Sequence, residues 1–101
     1  MAFDMYAGGT HDSIGHNEEF IFAMAQADES RYPELLAIWN AFYDDPRIPV
    51  ARAGAIVHEL LLLLHANGGL KNKMLAHTVL RLLLFFSTAY QNGQEIRCCS
   101  D

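Results

Sequence analysis

Five histidines, His11, His16, His58, His65 and His77, stand in this chain with Asp12, Glu18, Glu19 and Glu59 close by in sequence. Imidazole beside carboxylate is the chemistry of metal ligation and of proton transfer, so this set is weighed first. His58 and His65 fall on one face of a helix, two turns and about 10 Å apart along its axis. That is too far to share one zinc ion unless the helix bends. His58-Glu59 begins like the HExxH motif of zinc proteases, but Leu62 stands where the second histidine belongs. A site assembled from His11, His16 and a later histidine, with Asp12, Glu18 or Glu19, stays open. Capping or half-buried histidines are the simpler reading.

Other reactive groups carry less. Asp44-Asp45 precedes Pro46 and reads as a turn at a helix end; acid–base work needs a cleft that splits the two pKa values. Ser13, Ser30, Ser87 and Ser100 lie in no GxSxG context. The glycines of Ala7–Gly15 are followed by no GK[ST] and form no GxGxxG, so no phosphate loop is expected. Arg97 beside Cys98 and Cys99 favours a thiolate, yet a thiol near the chain end is poorly placed for preorganised catalysis. The chain is therefore expected not to be an enzyme, with no catalytic residue, no metal-ligand set and no cofactor assigned.

Charge distribution is more informative. Residues 1–45 hold nine acids and one base, and residues 46–101 hold three acids and six bases. The halves are −8 and +3, which recovers the net charge of −5. Such a balance argues against nucleic acid, whose phosphates call for clustered Lys and Arg. The acids fall at helix starts and loops. They are either a solvated face matched to helix dipoles or a surface that docks a basic partner. In the docking reading the candidates are Glu18, Glu19, Asp44 and Asp45, with Tyr43 as the aromatic anchor. The first pair opens one helix and the second closes the next, so an antiparallel helix pair would bring both to one end of the domain.

The elements that must position these residues are organised around Ile56–Tyr90. Two apolar runs, Ile56–Leu64 and Met74–Phe86, flank a turn with Asn67, Gly68 and Gly69, which predicts an antiparallel helical hairpin at the centre of the core. The runs are too short to span a bilayer, which needs roughly 20 residues, so no membrane is expected. Upstream, one helix is predicted from Asn17 to about Ala27 and a second from Ser30 and Pro33 to the Asp44-Asp45-Pro46 stop. Trp39, with Leu35, Ile38 and Phe42, should pack on the hairpin leucines. The third helix is predicted over Val50–Ala66 and the fourth from about Lys73 to Gln91. Met1–Tyr6 alternates, with Phe3 and Met5 on one side and Asp4 and Tyr6 on the other, and Gln94–Cys99 does the same. These are two short strands that can close the domain, or a frayed arm. Ala7–Gly15 between them reads as a loop.

The expected fold is thus all-α or mainly α: one domain over residues 1–101, a compact four-helix unit with a central apolar hairpin and short terminal strands. Hydrophobic residues make up 51% of the chain, enough for a globular core without staples. The adjacent cysteines, poorly disposed to pair with each other, point to reduced thiols and a cytoplasmic protein, and MAFDMYAGG is not a signal peptide.

The stretches FDMYAGG, IGHNEEFIF and YPELLAIWNAFYDDPRI resemble small bacterial immunity proteins encoded beside secreted antibacterial toxins. The resemblance implies a cytoplasmic protein that binds and neutralises a cognate protein toxin. It transfers no individual functional residue. Two alternatives stand beside it: a histidine-based metal-binding protein or enzyme, and a structural homodimer subunit. For the last, Leu84 lies in line with Lys73, His77, Arg81 and Thr88, and Leu62 with Arg52 and Glu59, as contact faces.

Overall fold

The computed structural model describes residues 2–100. Four helices, α1 (Phe20–Gln26), α2 (Pro33–Asn40), α3 (Val50–Ala66) and α4 (Lys73–Gln91), combine with four strands, β1 (Ala2–Ala7), β2 (Thr10–Gly15), β3 (Arg47–Ile48) and β4 (Ile96–Ser100). All pairings are antiparallel and the sheet order is β2-β1-β4-β3. The fold is therefore α+β, and the mainly α four-helix expectation is corrected. The terminal strands do not merely close a bundle; with β2 and β3 they build a full layer.

The hairpin α3–α4 has the predicted bounds. Gly68 leaves α3 at φ +106°, a backbone conformation that glycine adopts freely. Asn72 then caps α4, its Oδ1 accepting the Leu75 N–H at 3.3 Å. Ile56, Leu60 and Leu63 meet Leu75, Val79, Leu82 and Phe86 in one buried cluster.

The sheet has one buried face. Phe3, Met5 and Ala7 of β1, Ile14 of β2, Ile48 of β3, and Ile96 and Cys98 of β4 all point into the core. Phe3 stacks on Phe42, with centroids 4.5 Å apart, which ties the sheet to the end of α2. Helices collected on one side of an antiparallel sheet leave its other side open.

Ala7–Gly15 was expected to be a loop and is instead half of a hairpin. Gly8, at φ +58°, is the first of the two residues that turn β1 into β2, as a type II′ turn requires. The strand escapes a hydrophobic-pattern reading because its inward row is Thr10, Asp12 and Ile14, with a single apolar member. Similarly, β3 is two residues between Pro46 and Pro49, too short to show any period. Trp39 is partly buried, stacked on Phe22 at 5.0 Å and edge-on to Phe42 at 5.1 Å. No helix is long and apolar enough to cross a membrane among the described residues.

Candidate functional site

Charged side chains inside the apolar hairpin runs are the natural place to begin, because a buried charge must be partnered. Arg81 of α4 reaches β2 and the turn after it. One guanidinium nitrogen donates to the Asp12 carboxylate and, at 2.9 Å, to the Ser13 carbonyl; the other donates to Glu18 Oε2 at 2.6 Å. Glu18 also accepts from Thr78 Oγ1 at 3.3 Å and from the Gly15 N–H at 3.1 Å. Burial pushes the Glu18 carboxyl up, but the Gly15 N–H, Arg81 and Thr78 outweigh it and hold it below 4.5.

This network closes an edge. The Ser13 N–H, which Asp12 Oδ1 accepts at 2.7 Å, the Ser13 carbonyl and the Gly15 N–H all bond to side chains in place of a further strand. An inward-pointing Asp12 on an edge strand has the same effect. The opposite edge, β3, is protected by its length and flanking prolines. Strand addition therefore finds little unbonded backbone at either edge.

Glu59 is the other charge within an apolar run and the more deeply buried one, 4% exposed on α3 where the Arg81 side chain is 30% exposed. Its two carboxylate oxygens accept the N–H groups of Glu34 and Leu35, both at 2.9 Å, in the first turn of α2. Tyr32, which precedes that helix, supplies no side-chain cap, so α3 caps α2 across the interface. Burial pushes the Glu59 carboxyl above its ordinary value, and the two N–H donors pull against this without cancelling it. Arg52 Nε donates to Glu34 Oε1 at 2.6 Å and tightens the same junction. Glu59 is therefore not part of an outer contact face with Arg52 and Leu62, and Arg81 is likewise committed inward.

The five residues expected to form an acidic docking surface divide. Glu18 is held by Arg81 and is not free to dock. Glu19, four-fifths buried, faces His16 at 3.5 Å. Tyr43, by contrast, is 65% exposed, and Asp44 beside it is exposed and in no ion pair among the described residues. Asp45 is exposed at φ +48°, its Oδ1 accepting the Ser100 N–H at 3.3 Å. Both acid pairs do adjoin one end of the sheet: Gly15, bonded to Glu18, lies opposite Ala2, and Ser100, bonded to Asp45, lies opposite Phe3. Of the two acid pairs, the one at the Tyr43–Asp45 corner is the exposed one.

The histidines are not gathered. His11 lies 3.1 Å from Asp4, and His58, His65 and His77 are exposed on the hairpin. Among the described residues no group of three or more His, Cys, Asp and Glu side chains is placed to hold a metal ion.

A second surface went unrecognised in the sequence. Register aligns His11, Tyr6, Arg97 and Arg47 in a row across all four strands on the uncovered face. His11 stacks on Tyr6 at 4.7 Å, and the Arg97 guanidinium lies 5.3 Å from the centre of the same ring. A cleft of about 420 Å³ opens beside them, lined by Tyr6, Asp45, Arg47, Arg97, Cys98 and Cys99. Tyr6 and Arg97 each sit on an alternating segment, but the row is legible only once β2 and β3 are known. No protein-family model, curated protein or solved structure matches this chain.

Proposed function

We propose that the domain is a protein-binding module that acts as an immunity protein, docking a toxin's basic surface through the Tyr43–Asp45 corner. One observation carries the reading: a 65% exposed tyrosine adjoins two exposed carboxylates in a short connection tied to β4 by the Pro46 carbonyl, which accepts the Cys98 N–H, and by the Asp45 carboxylate, which accepts the Ser100 N–H. A large aromatic ring next to unpaired acids suits an interface anchor, supplying apolar area and charge that steers a basic partner. The corner replaces the wider acidic surface, because Glu18 is spent inside the fold.

Co-expression with the product of the neighbouring gene, which this reading expects to be a toxin, tests the proposal. The parent should restore growth. Tyr43→Ala/Asp44→Lys should slow association about tenfold at low salt while leaving thermal unfolding unchanged. Asp45 is spared in that variant because it anchors Ser100. Full protection by the double variant at equal abundance removes the corner as the interface; no protection by the parent removes the immunity reading.

A further inference from the structure

We propose that the open face of the sheet docks an acidic segment of a partner protein, its carboxylates seated between Arg47 and Arg97 beside Tyr6. The proposal rests on the protein-binding reading only in that its partner is a protein. Its first support is the register, which sets Arg47 directly opposite Arg97. Like charges facing each other across two strands are destabilising. Glu95 offsets one of them, bonding Arg47 at 3.0 Å in an exposed pair. Arg97 has no carboxylate within ion-pair distance among the described residues. Asp45, the acid lining the same cleft, already has one oxygen on the Ser100 N–H.

The second support is preorganisation. The His11–Tyr6–Arg97 stack holds the Arg97 side chain upright, so less freedom is lost when its guanidinium edge meets a carboxylate. Two arginines across a narrow cleft match a carboxylate with paired N–H donors. The surroundings choose among anions. Asp4, Asp45 and Glu95 ring the row, so a continuous phosphate backbone meets repulsion on each side. An acidic peptide can set one or two carboxylates into the cleft and keep the rest of its chain clear. With both sheet edges closed, side-chain recognition on this face does not compete with strand addition.

Titration of the ¹⁵N-labelled full chain with the end-blocked peptide Gly-Glu-Glu-Gly, which carries two carboxylates, is the test, with inorganic phosphate and octathymidylate as comparison arms. Saturable amide shifts are expected at Tyr6, His11, Arg47 and Arg97, fading as salt rises. Arg97→Gln should weaken the fitted affinity about three- to fivefold, as loss of an exposed charge pair does. Lys71→Gln, on the hairpin turn, should leave it unchanged. Circular dichroism checks the fold of each variant, and Arg47→Gln supplies the same readout if Arg97→Gln unfolds. Absent or scattered shifts, undiminished parental affinity in both arginine variants, or equal binding of phosphate or octathymidylate at these amides would overturn the proposal. The toxin-protection assay reads Tyr43 and Asp44, so each proposal can fail without the other.

Discussion

Adjacent cysteines in β4 have opposite fates because a strand turns successive side chains to opposite faces. Cys98 faces the core beside Ile96 and is buried, while Cys99 faces outward and is exposed. Burial pushes the Cys98 thiol up to about 12, far from any reactive range, despite the positive charge of Arg52 nearby. A disulfide reagent at pH 8 should therefore modify one thiol quickly in the native protein and two after denaturation. Rapid reaction of both in the folded state would contradict the burial. The same shift carries a pH dependence. Folding favours the neutral thiol, so its contribution is complete below the unfolded value of 9.0 and is lost as pH rises toward about 12. Urea midpoints between pH 8 and 11 should fall less steeply for Cys98→Ala, relative to its own value at pH 8, than for the parent. Glu18 works in the other direction: its lowered carboxyl adds stability above 4.5 that disappears as the pH drops further.

Between elements, the Glu59, Asp12 and Glu18 carboxylates and the Arg81 guanidinium do the fastening that apolar packing leaves undone. Glu59 ends the unsatisfied first turn of α2 from within α3. Glu59→Ala should lower stability by about 1–3 kcal/mol, since it leaves the buried Leu35 N–H and the part-buried Glu34 N–H unpaired. Glu59→Gln, which keeps one acceptor, should cost less; equal urea midpoints for Glu59→Ala and the parent would mean that α2 needs no cap from α3. These roles show where sequence patterns inform and where they stop. Periodicity, caps and glycines place α3 and α4 at their observed bounds because those signals are local. The alternation of Phe3 and Met5 against Asp4 and Tyr6 likewise identifies the buried side of β1. The partner strand β2 is hidden because Asp12 occupies an inward position, and only α4, far along the chain, supplies the Arg81 that makes an acid tolerable there. The isolated charges Glu59 and Arg81 in apolar runs were a visible hint of buried pairing, though not of their partners. Nor does any local signal distinguish Glu18, consumed by that arginine, from Asp44, which stays exposed.

For the whole molecule, the layering separates two outer surfaces. The helices cover the inner side of the sheet, so the solvent side of the α3–α4 hairpin faces away from the Tyr6–Arg97 row. That hairpin side carries Leu61 on α3 and Leu80 and Tyr90 on α4, with Val57 and Leu83 only partly buried; Leu84, 72% exposed, lies on the other flank of α4, beside Thr10 and His11 of β2. Large apolar groups collected on one outer face suit association. We expect a homodimer built on this face, with Leu61 and Leu80 replacing the Leu62 and Glu59 that periodicity alone had suggested, because Leu62 is half-buried and Glu59 points inward. Pairing across the hairpins would leave both the Tyr43–Asp45 corner and the open sheet free, so a dimer would present two copies of each. Light scattering at about 100 μM should read twice the chain mass of 11.3 kDa. Leu61→Glu/Leu80→Glu should return the protein to monomer with its unfolding midpoint little changed, since neither side chain belongs to the buried core. A parent that stays monomeric at that concentration would mean the leucines are individually solvated, as scattered surface apolar residues commonly are.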